Sequence, residues 1–223
     1  MERDFRLFQD CEKGAIAPTL VIYSWLPKCI SVGYSQKIET EIDTTNAASQ
    51  GWEMVKRPTG GGIVFHNEAE LTYSLVTPIA IPLLPPGLVP SYKKISETVI
   101  FALSLLGVSA EIRAQNLPAG RQGTEHRRQN TGLCFSYPAE YEIVVNGKKI
   151  VGSAQKRGRR ALLQQGSIFV RNSGPAALAL LKKPFPEYNA VSVEEVLGRE
   201  VDFSPLSEAL MAGFENVLGV EFI

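Results

Sequence analysis

Three short segments of the 223-residue chain carry groups able to do chemistry. The first is Arg57-Pro58-Thr59-Gly60-Gly61-Gly62-Ile63-Val64-Phe65-His66. Three consecutive glycines put no side chain between backbone and ligand. Their N–H groups can be aimed at a phosphate, carboxylate or carbonyl oxygen, and the Arg57 guanidinium adds a fork of donors. The same run also reads as a flexible loop or a bulge leading into a strand, and it matches neither a Walker A sequence nor G-x-G-x-x-G. The second segment is Lys148 to Gln155. Gly152, Ser153 and Ala154, small residues inside a β-forming run, mark a place where a ligand or a packed helix presses on the strand. Lys149 is its candidate for catalysis, while a lysine just after a turn is ordinarily a solvated charge. The third is Cys134, in Leu133-Cys134-Phe135-Ser136-Tyr137-Pro138. A lone cysteine beside phenylalanine reads as a small buried hydrophobe. A nearby ammonium would favour its thiolate and make it a nucleophile. Cys11 and Cys29 have no comparable context.

The elements that must position these groups follow from pattern. Glu2–Lys13 reads as a helix with Phe5 and Phe8 on one face. Thr19–Trp25 and Cys29–Tyr34 are β-branched and aromatic runs, expected to form a hairpin about Leu26-Pro27-Lys28. Ile63–His66 and Leu71–Val76 are two further strands. A proline-rich connector, Pro78 to Pro90, leads to a helix with Ser91 as N-cap, a stripe of Ile95, Val99, Ala102, Leu103 and Leu106, and Gly107 at its end. Val108–Ile112 is a short strand. Residues 113–130 are polar, carry Arg113, Arg121, Arg127 and Arg128, and read as a long surface loop. Tyr141–Val145 and Lys148–Gln155 flank Asn146-Gly147, a strong two-residue hairpin signal that pairs Val145 with Lys148 and Val144 with Lys149. Lys156–Arg160 is a basic turn, Ala161–Val170 a strand, and Pro175–Lys182 and Pro205–Leu218 are helices. This order is an α+β pattern in one domain spanning 1–223.

Composition removes several function classes. Lys+Arg is 23 and Asp+Glu is 23, so no net field draws the chain to nucleic acid or an anionic membrane. Lys156-Arg157-Gly158-Arg159-Arg160 carries no interleaved aromatic and reads as a solvated hairpin tip, equally suited to meeting an acidic carrier protein. The three cysteines and the two histidines, His66 and His126, fit neither a disulfide framework nor a zinc pattern, so no metal is expected. The most apolar stretch, Val76 to Val89, is interrupted by Pro78, Pro82, Pro85 and Pro86, and the N-terminus lacks an apolar signal core. A cytosolic location is expected.

Taken together and in order, RPTGGGIVFHNEAELTYSL (57–75), CFSYPAEYEIVVNGKKIVGSAQKR (134–157) and LLQQGSI (162–168) resemble the lipoate–protein ligase and octanoyltransferase family, the lipoyl branch of the biotin/lipoate transferase fold. The resemblance implies an α+β fold with a central mixed β-sheet flanked by helices. It implies movement of an octanoyl or lipoyl group onto a specific lysine of a lipoyl carrier domain. Arg57, Thr59, Gly60, Gly61 and Gly62 match the family's substrate loop, Lys149 its essential lysine, and His66 a pocket-shaping position. Gly152, Ser153, Ala154, Gln165 and Gly166 are expected to border the substrate. Val64, Leu71, Tyr73 and Leu75 are candidates to line an apolar slot, where burying seven methylene or methyl groups supplies roughly 5 kcal/mol. Two chemistries compete. A ligase needs ATP and Mg²⁺ and usually a C-terminal accessory domain, for which a chain ending at Ile223 is expected to have no room. A transferase takes the acyl group from octanoyl-acyl carrier protein with no cofactor, and Cys134, fifteen residues before Lys149, resembles the nucleophile of the branch that stores the group on cysteine. The transferase is favoured, acting as a monomer. The family usually has His-Gly where this chain has Gln165-Gly166, and glutamine hydrogen-bonds but cannot take up a proton. That departure is the sole support for an inactive binding module. A biotin ligase is disfavoured by the lack of a Gly-Arg-Gly-Arg loop.

Overall fold

A computed structural model of the chain describes residues 1–113, 141–183 and 189–223. The first half runs α1 (Glu2–Glu12), β1 (Thr19–Tyr23), β2 (Cys29–Val32), α2 (Ile38–Glu41), α3 (Thr44–Ser49), β3 (Glu53–Lys56), β4 (Val64–His66), β5 (Leu71–Pro78) and α4 (Leu88–Leu105). The rest runs β6 (Glu111–Ile112), β7 (Ile143–Val145), β8 (Lys148–Arg157), β9 (Ala161–Ile168), α5 (Pro175–Leu178), α6 (Val193–Leu197) and α7 (Phe203–Leu218). The α+β class is as expected. The six-stranded sheet, in the order β1-β5-β9-β8-β7-β6, is antiparallel throughout, and the parallel pairing lies in a smaller sheet, β3-β2-β4.

The large sheet has two different faces. Leu71, Tyr73 and Leu75 of β5 pack with Val151 and Ile168 against Ile95, Val99 and Leu103 of α4 and Leu206, Leu210 and Phe214 of α7. The opposite face carries Tyr23, Thr72, Ser74, Gln165 and Ser167, a polar set for a sheet interior. Helix α1 covers part of that face, with Phe8 and Cys11 packed on Val76, Ala161 and Leu163. Such a face is stable only if each buried polar group finds a partner, and this requirement shapes the site.

Local chemistry sets the β7–β8 hairpin. Asn146 (φ 50°) and Gly147 (φ 77°) both take left-handed conformations, as a type I′ turn requires. The register pairs Val145 with Lys148 and Val144 with Lys149, as the spacing predicts. It then shifts so that Ile143 meets Val151, which leaves Ile150 as the extra residue of a bulge.

Other expectations are corrected. Thr19–Trp25 and Cys29–Tyr34 do not form a hairpin: β1 pairs with β5, and β2 with β3 and β4. Pairing with β5 sets Leu20 and Ile22 beside Leu75 and Tyr73, against the main core, a gain that the local hairpin lacks. Helix α4 starts before Ser91, with Gly87 as N-cap. Pro90 falls in the first turn, where the missing N–H breaks no intrahelical bond. Ser91 Oγ donates to the Gly87 and Leu88 carbonyls. The helix expected at Pro175–Lys182 spans only Pro175–Leu178. The loop read at 113–130 falls, apart from Arg113, outside the described residues. Among the described residues, no helix is long and apolar enough to cross a membrane.

Helices α4 and α7 meet at Gly213, where an added Cβ would stand 2.3 Å from the Thr98 carbonyl oxygen and 3.3 Å from Ala102 Cβ. Gly213→Ala must push the helices apart, and is expected to lose about 1–3 kcal/mol, as overpacking does. A lowered midpoint of urea unfolding at unchanged slope measures it; an unchanged midpoint would show that the contact is slack.

Candidate active site

The glycine run is held from inside. Nη1 of Arg57 donates to Ser31 O (2.9 Å) and Ser31 Oγ (2.6 Å), and Nη2 donates to Gly60 O (3.2 Å) and Gly62 O (2.6 Å). The guanidinium therefore braces the loop as well as bordering the cavity described below. Gly33 lies so close beneath that a Cβ there would stand 2.0 Å from Gly61 O.

From Ser31 the bonding continues to His66. Arginine can only donate, so Ser31 Oγ accepts from it, and the same oxygen meets His66 Nε2 2.6 Å away. The other ring nitrogen, Nδ1, faces the Glu70 carboxylate. Glu70 Oε1 also accepts from Thr72 Oγ1 (3.2 Å) and from Ser167 Oγ, while Oε2 is buried with no hydrogen-bond partner among the described residues. Trp25 closes the outer side, its ring stacked 4.1 Å from the imidazole at 17° and its Nε1 donating to Thr72 Oγ1 at 2.8 Å.

A second chain of bonds starts at Asp4, fully buried under α1. Its Oδ2 accepts from Tyr23 (2.9 Å), Ser74 (2.6 Å) and Gln165 Nε2 (2.8 Å). Burial, reinforced by the Asp4 charge, pushes the Tyr23 phenol well above its ordinary value, so it stays a donor. Because Asp4 takes the Gln165 amide nitrogen, Oε1 is free to accept from Thr59 Oγ1 at 2.8 Å. Gln165 thus joins helix α1 to the glycine segment without any group that must exchange a proton.

Between these chains lies a cavity with about 330 Å³ of empty space, open solvent included. Of the residues singled out in the sequence, Arg57, Thr59, His66, Gly152, Ser153, Ala154, Gln165 and Gly166 line it, joined by Met1, Val64, Thr72 and Ser167. Gly60, Gly61 and Gly62 sit in the adjoining loop. Of the four residues expected to form an apolar slot, only Val64 lies on the wall. Leu71, Tyr73 and Leu75 face the main core, because alternation along β5 gives the cavity side to Thr72 and Ser74. Tyr73 backs the floor: a Cβ on Gly166 would lie 2.2 Å from its ring, and its hydroxyl meets Ser153 Oγ at 3.2 Å.

Lys149 is not on this wall, and the alternative reading of it as a solvated charge is corrected. It is 0% exposed and ion-paired with Glu142, where a lysine after a turn is ordinarily solvated. Residues 189–191 cover it: Lys149 N donates to Asn189 O at 3.0 Å and Val191 N to Lys149 O at 2.9 Å. Lys148, next to it, is exposed. Cys134, eight residues before Glu142, lies outside the described residues. Burial, with Glu53 adding to it, pushes the Cys29 thiol up to about 12, and burial with Glu12 raises Cys11, so neither is a ready nucleophile. Sequence reasoning did not single out Asp4, Trp25, Ser31, Glu70 or Glu142. For Asp4 a signal existed: Asp4, Phe8 and Cys11 recur at helical spacing on one buried face.

The neutral bridge at Gln165 is testable. Gln165→Glu sets a second carboxylate beside Asp4, and should lose roughly 3 kcal/mol at neutral pH. The new carboxyl's folded pKa is raised by its neighbour, so the deficit is full above that pKa and closes as pH falls. Thermal midpoints of variant and parent should converge between pH 8 and pH 5; a constant gap would mean that Asp4 does not face residue 165.

The comparisons with known proteins agree with this geometry. The family model described as lipoyl protein ligase A/B catalytic domain matches residues 1–215. The octanoyltransferase LipM of Moorella thermoacetica is 36% identical over 233 residues, covering 100% of this chain and 83% of the relative. The octanoyltransferase LipM of Kyrpidia tusciae is 37% identical over 217 residues, covering 93% and 78%. The solved structure of a lipoate-protein ligase A bound with ATP superposes with a TM-score of 0.76 at 22% identity, covering 100% of this chain and 83% of that one, which establishes the shared fold. Eight of the residues singled out in the sequence line one cavity, and the match runs nearly end to end: the chain belongs to the lipoyl protein ligase A/B catalytic domain family.

Proposed function

We propose that this enzyme transfers an octanoyl (or lipoyl) group from an acyl carrier protein thioester, through a thioester on Cys134, to a specific lysine of a lipoyl carrier domain. The observation that carries the reading is the buried Lys149 ammonium, in a chain similar along its whole length to octanoyltransferases. A lysine kept out of water is costly even when paired with a carboxylate, unless it has a task. Lys149 and Cys134 are the catalytic residues in this reading. Glu142 holds the ammonium in place until the acyl group arrives.

The thiolate of Cys134 attacks the donor's carbonyl carbon. A carbon–sulfur bond to Cys134 forms, the bond to the carrier's sulfur breaks, and the departing thiolate takes up a proton. Lys149 lowers the thiol pKa, stabilises the oxyanion, or both. One thioester replaces another, so the step is nearly isoenergetic and needs no ATP. The neutral amine of the acceptor lysine then attacks the acyl-enzyme, the carbon–sulfur bond to Cys134 breaks, and the proton shed by the amine passes to the departing thiolate, giving the more stable amide and the free thiol. Arg57, Thr59, Gly60, Gly61, Gly62, His66, Gly152, Ser153, Ala154, Gln165 and Gly166 surround the acyl group or its carbonyl, and Tyr73 supports the floor from behind.

Incubation with octanoyl-acyl carrier protein without ATP should add one octanoyl group, released by hydroxylamine and absent in Cys134→Ser. Intact-mass measurement reads it. No adduct without ATP, and an acyl-adenylate with it, would make the enzyme a ligase.

Lys149→Met should abolish transfer. It should also cost about 3–5 kcal/mol, since it removes the cationic partner of the buried Glu142 carboxylate. Lys149→Met combined with Glu142→Leu should recover much of that stability in urea melts and remain inactive. Activity in the double variant would end the catalytic assignment.

A further inference from the structure

Beside the cavity is a cationic cluster that neither the catalytic reading nor the core accounts for. Tyr34, just after β2, is 66% exposed, and its backbone N–H donates to Thr59 O at 2.9 Å, which ties it to the glycine segment. Two ammonium groups reach its ring: Lys56 Nζ and Lys156 Nζ, each 5.6 Å from the centroid. Lys156 Nζ is also 5.8 Å from the Phe8 ring. Their place relative to the cavity follows from the chain. Lys56 directly precedes Arg57, and Lys156 lies two residues beyond Ala154, on the same face of β8; Arg57 and Ala154 are wall residues.

The charge is uncompensated. Among the described residues neither lysine has a carboxylate partner. Glu12, the carboxylate at the nearby β8–β9 turn, accepts from the backbone N–H groups of Arg160 and Ala161. The basic turn is thus divided. Arg157 reaches the other face and donates to Gly87 O (3.3 Å), Ser91 Oγ (3.1 Å) and Gln155 Oε1 (3.2 Å), while Lys156 stays on the cavity side.

Two ammonium groups converging on one exposed phenol suit a compact anion with several oxygens better than carboxylates dispersed over a protein surface. Both lysines lie within two residues of a wall residue along their strands, Lys56 beside Arg57 and Lys156 beyond Ala154. We infer that Tyr34, Lys56 and Lys156 form a phosphate subsite that binds the phosphate ester of the donor's pantetheine arm while the acyl thioester occupies the cavity. The inference rests on the transferase reading. The phosphates of ATP share this chemistry, and the experiment separates the two sources.

Acyl-enzyme formation is followed by intact mass with octanoyl-pantetheine, octanoyl-phosphopantetheine and octanoyl-acyl carrier protein, and separately with octanoate plus ATP. The proteins are the parent, Lys56→Ala, Lys156→Ala and the double variant. The parent should favour the phosphorylated arm over pantetheine by about tenfold in kcat/KM, expressed in KM, as expected for charge-assisted hydrogen bonds. The double variant should lose that preference to within about twofold, and added salt should reproduce the loss, since exposed charges are screened. Retained preference in the double variant overturns the subsite. So does a defect confined to octanoyl-acyl carrier protein, which would mean that the lysines read the carrier's protein surface. A parent acylated equally by both arms overturns the subsite alone. A parent acylated by no thioester, and forming an adenylate with ATP, overturns the transferase reading and the subsite together.

Discussion

A carboxylate cannot be buried without donors, and much of this site follows from that constraint at Asp4. Tyr23, Ser74 and Gln165 all converge on one of its oxygens. Those residues come from three neighbouring strands, β1, β5 and β9, while Asp4 comes from α1. The polar face of the sheet is therefore organised around a charge carried by the helix that covers it. Through Gln165 and Thr59 the same charge reaches the glycine segment. The His66–Glu70 pair repeats the arrangement on the other flank, with Ser31 and Arg57 as its route to the loop. The cavity lies between two buried carboxylates, and its walls are set in part by the donors that gather on them.

Lys149 and Glu142 obey the same rule at the end of the sheet. Their mutual attraction must offset the desolvation of both ions, and such pairs seldom add net stability. What they add is position: an ammonium in a site shielded from water acts far more strongly on a nearby thiolate or oxyanion than one in solvent. In the family reading, stability is given up at this point for chemistry.

Where the fold was legible in the sequence, local chemistry decided it. Asn146-Gly147 specifies its own turn, and so fixes which residues face each other across β7 and β8. The stripe on α4 and the glycine after it gave that helix's core face and end. Strand partnership was not legible between 19 and 34, because β pairing is chosen by distant burial, here the match of Leu20 and Ile22 to Leu75 and Tyr73. The same limit applied to the slot: alternation along β5 was visible, but which face met the cavity was not. The glycines, small residues, Arg57, His66 and Gln165 were found through their motif. Their partners were not, since a buried Asp4, Glu70 or Glu142 has the same letter as a solvated one. Ser192 and Glu195, which form a capping box on α6, could have been read from their spacing alone.

The stacking of Trp25 on His66 gives the molecule its own optical reporter. The chain has two tryptophans. Trp52 is 7% exposed and packs edge-on against Phe65 in the small-sheet core, away from solvent quenchers. Trp25 is only partly buried, lies against a cavity-wall imidazole and donates its indole N–H to Thr72, another wall residue. Its emission is expected to respond to what fills the cavity, while Trp52 supplies an internal reference. Occupancy of the site can be followed by the intrinsic fluorescence of the unlabelled protein.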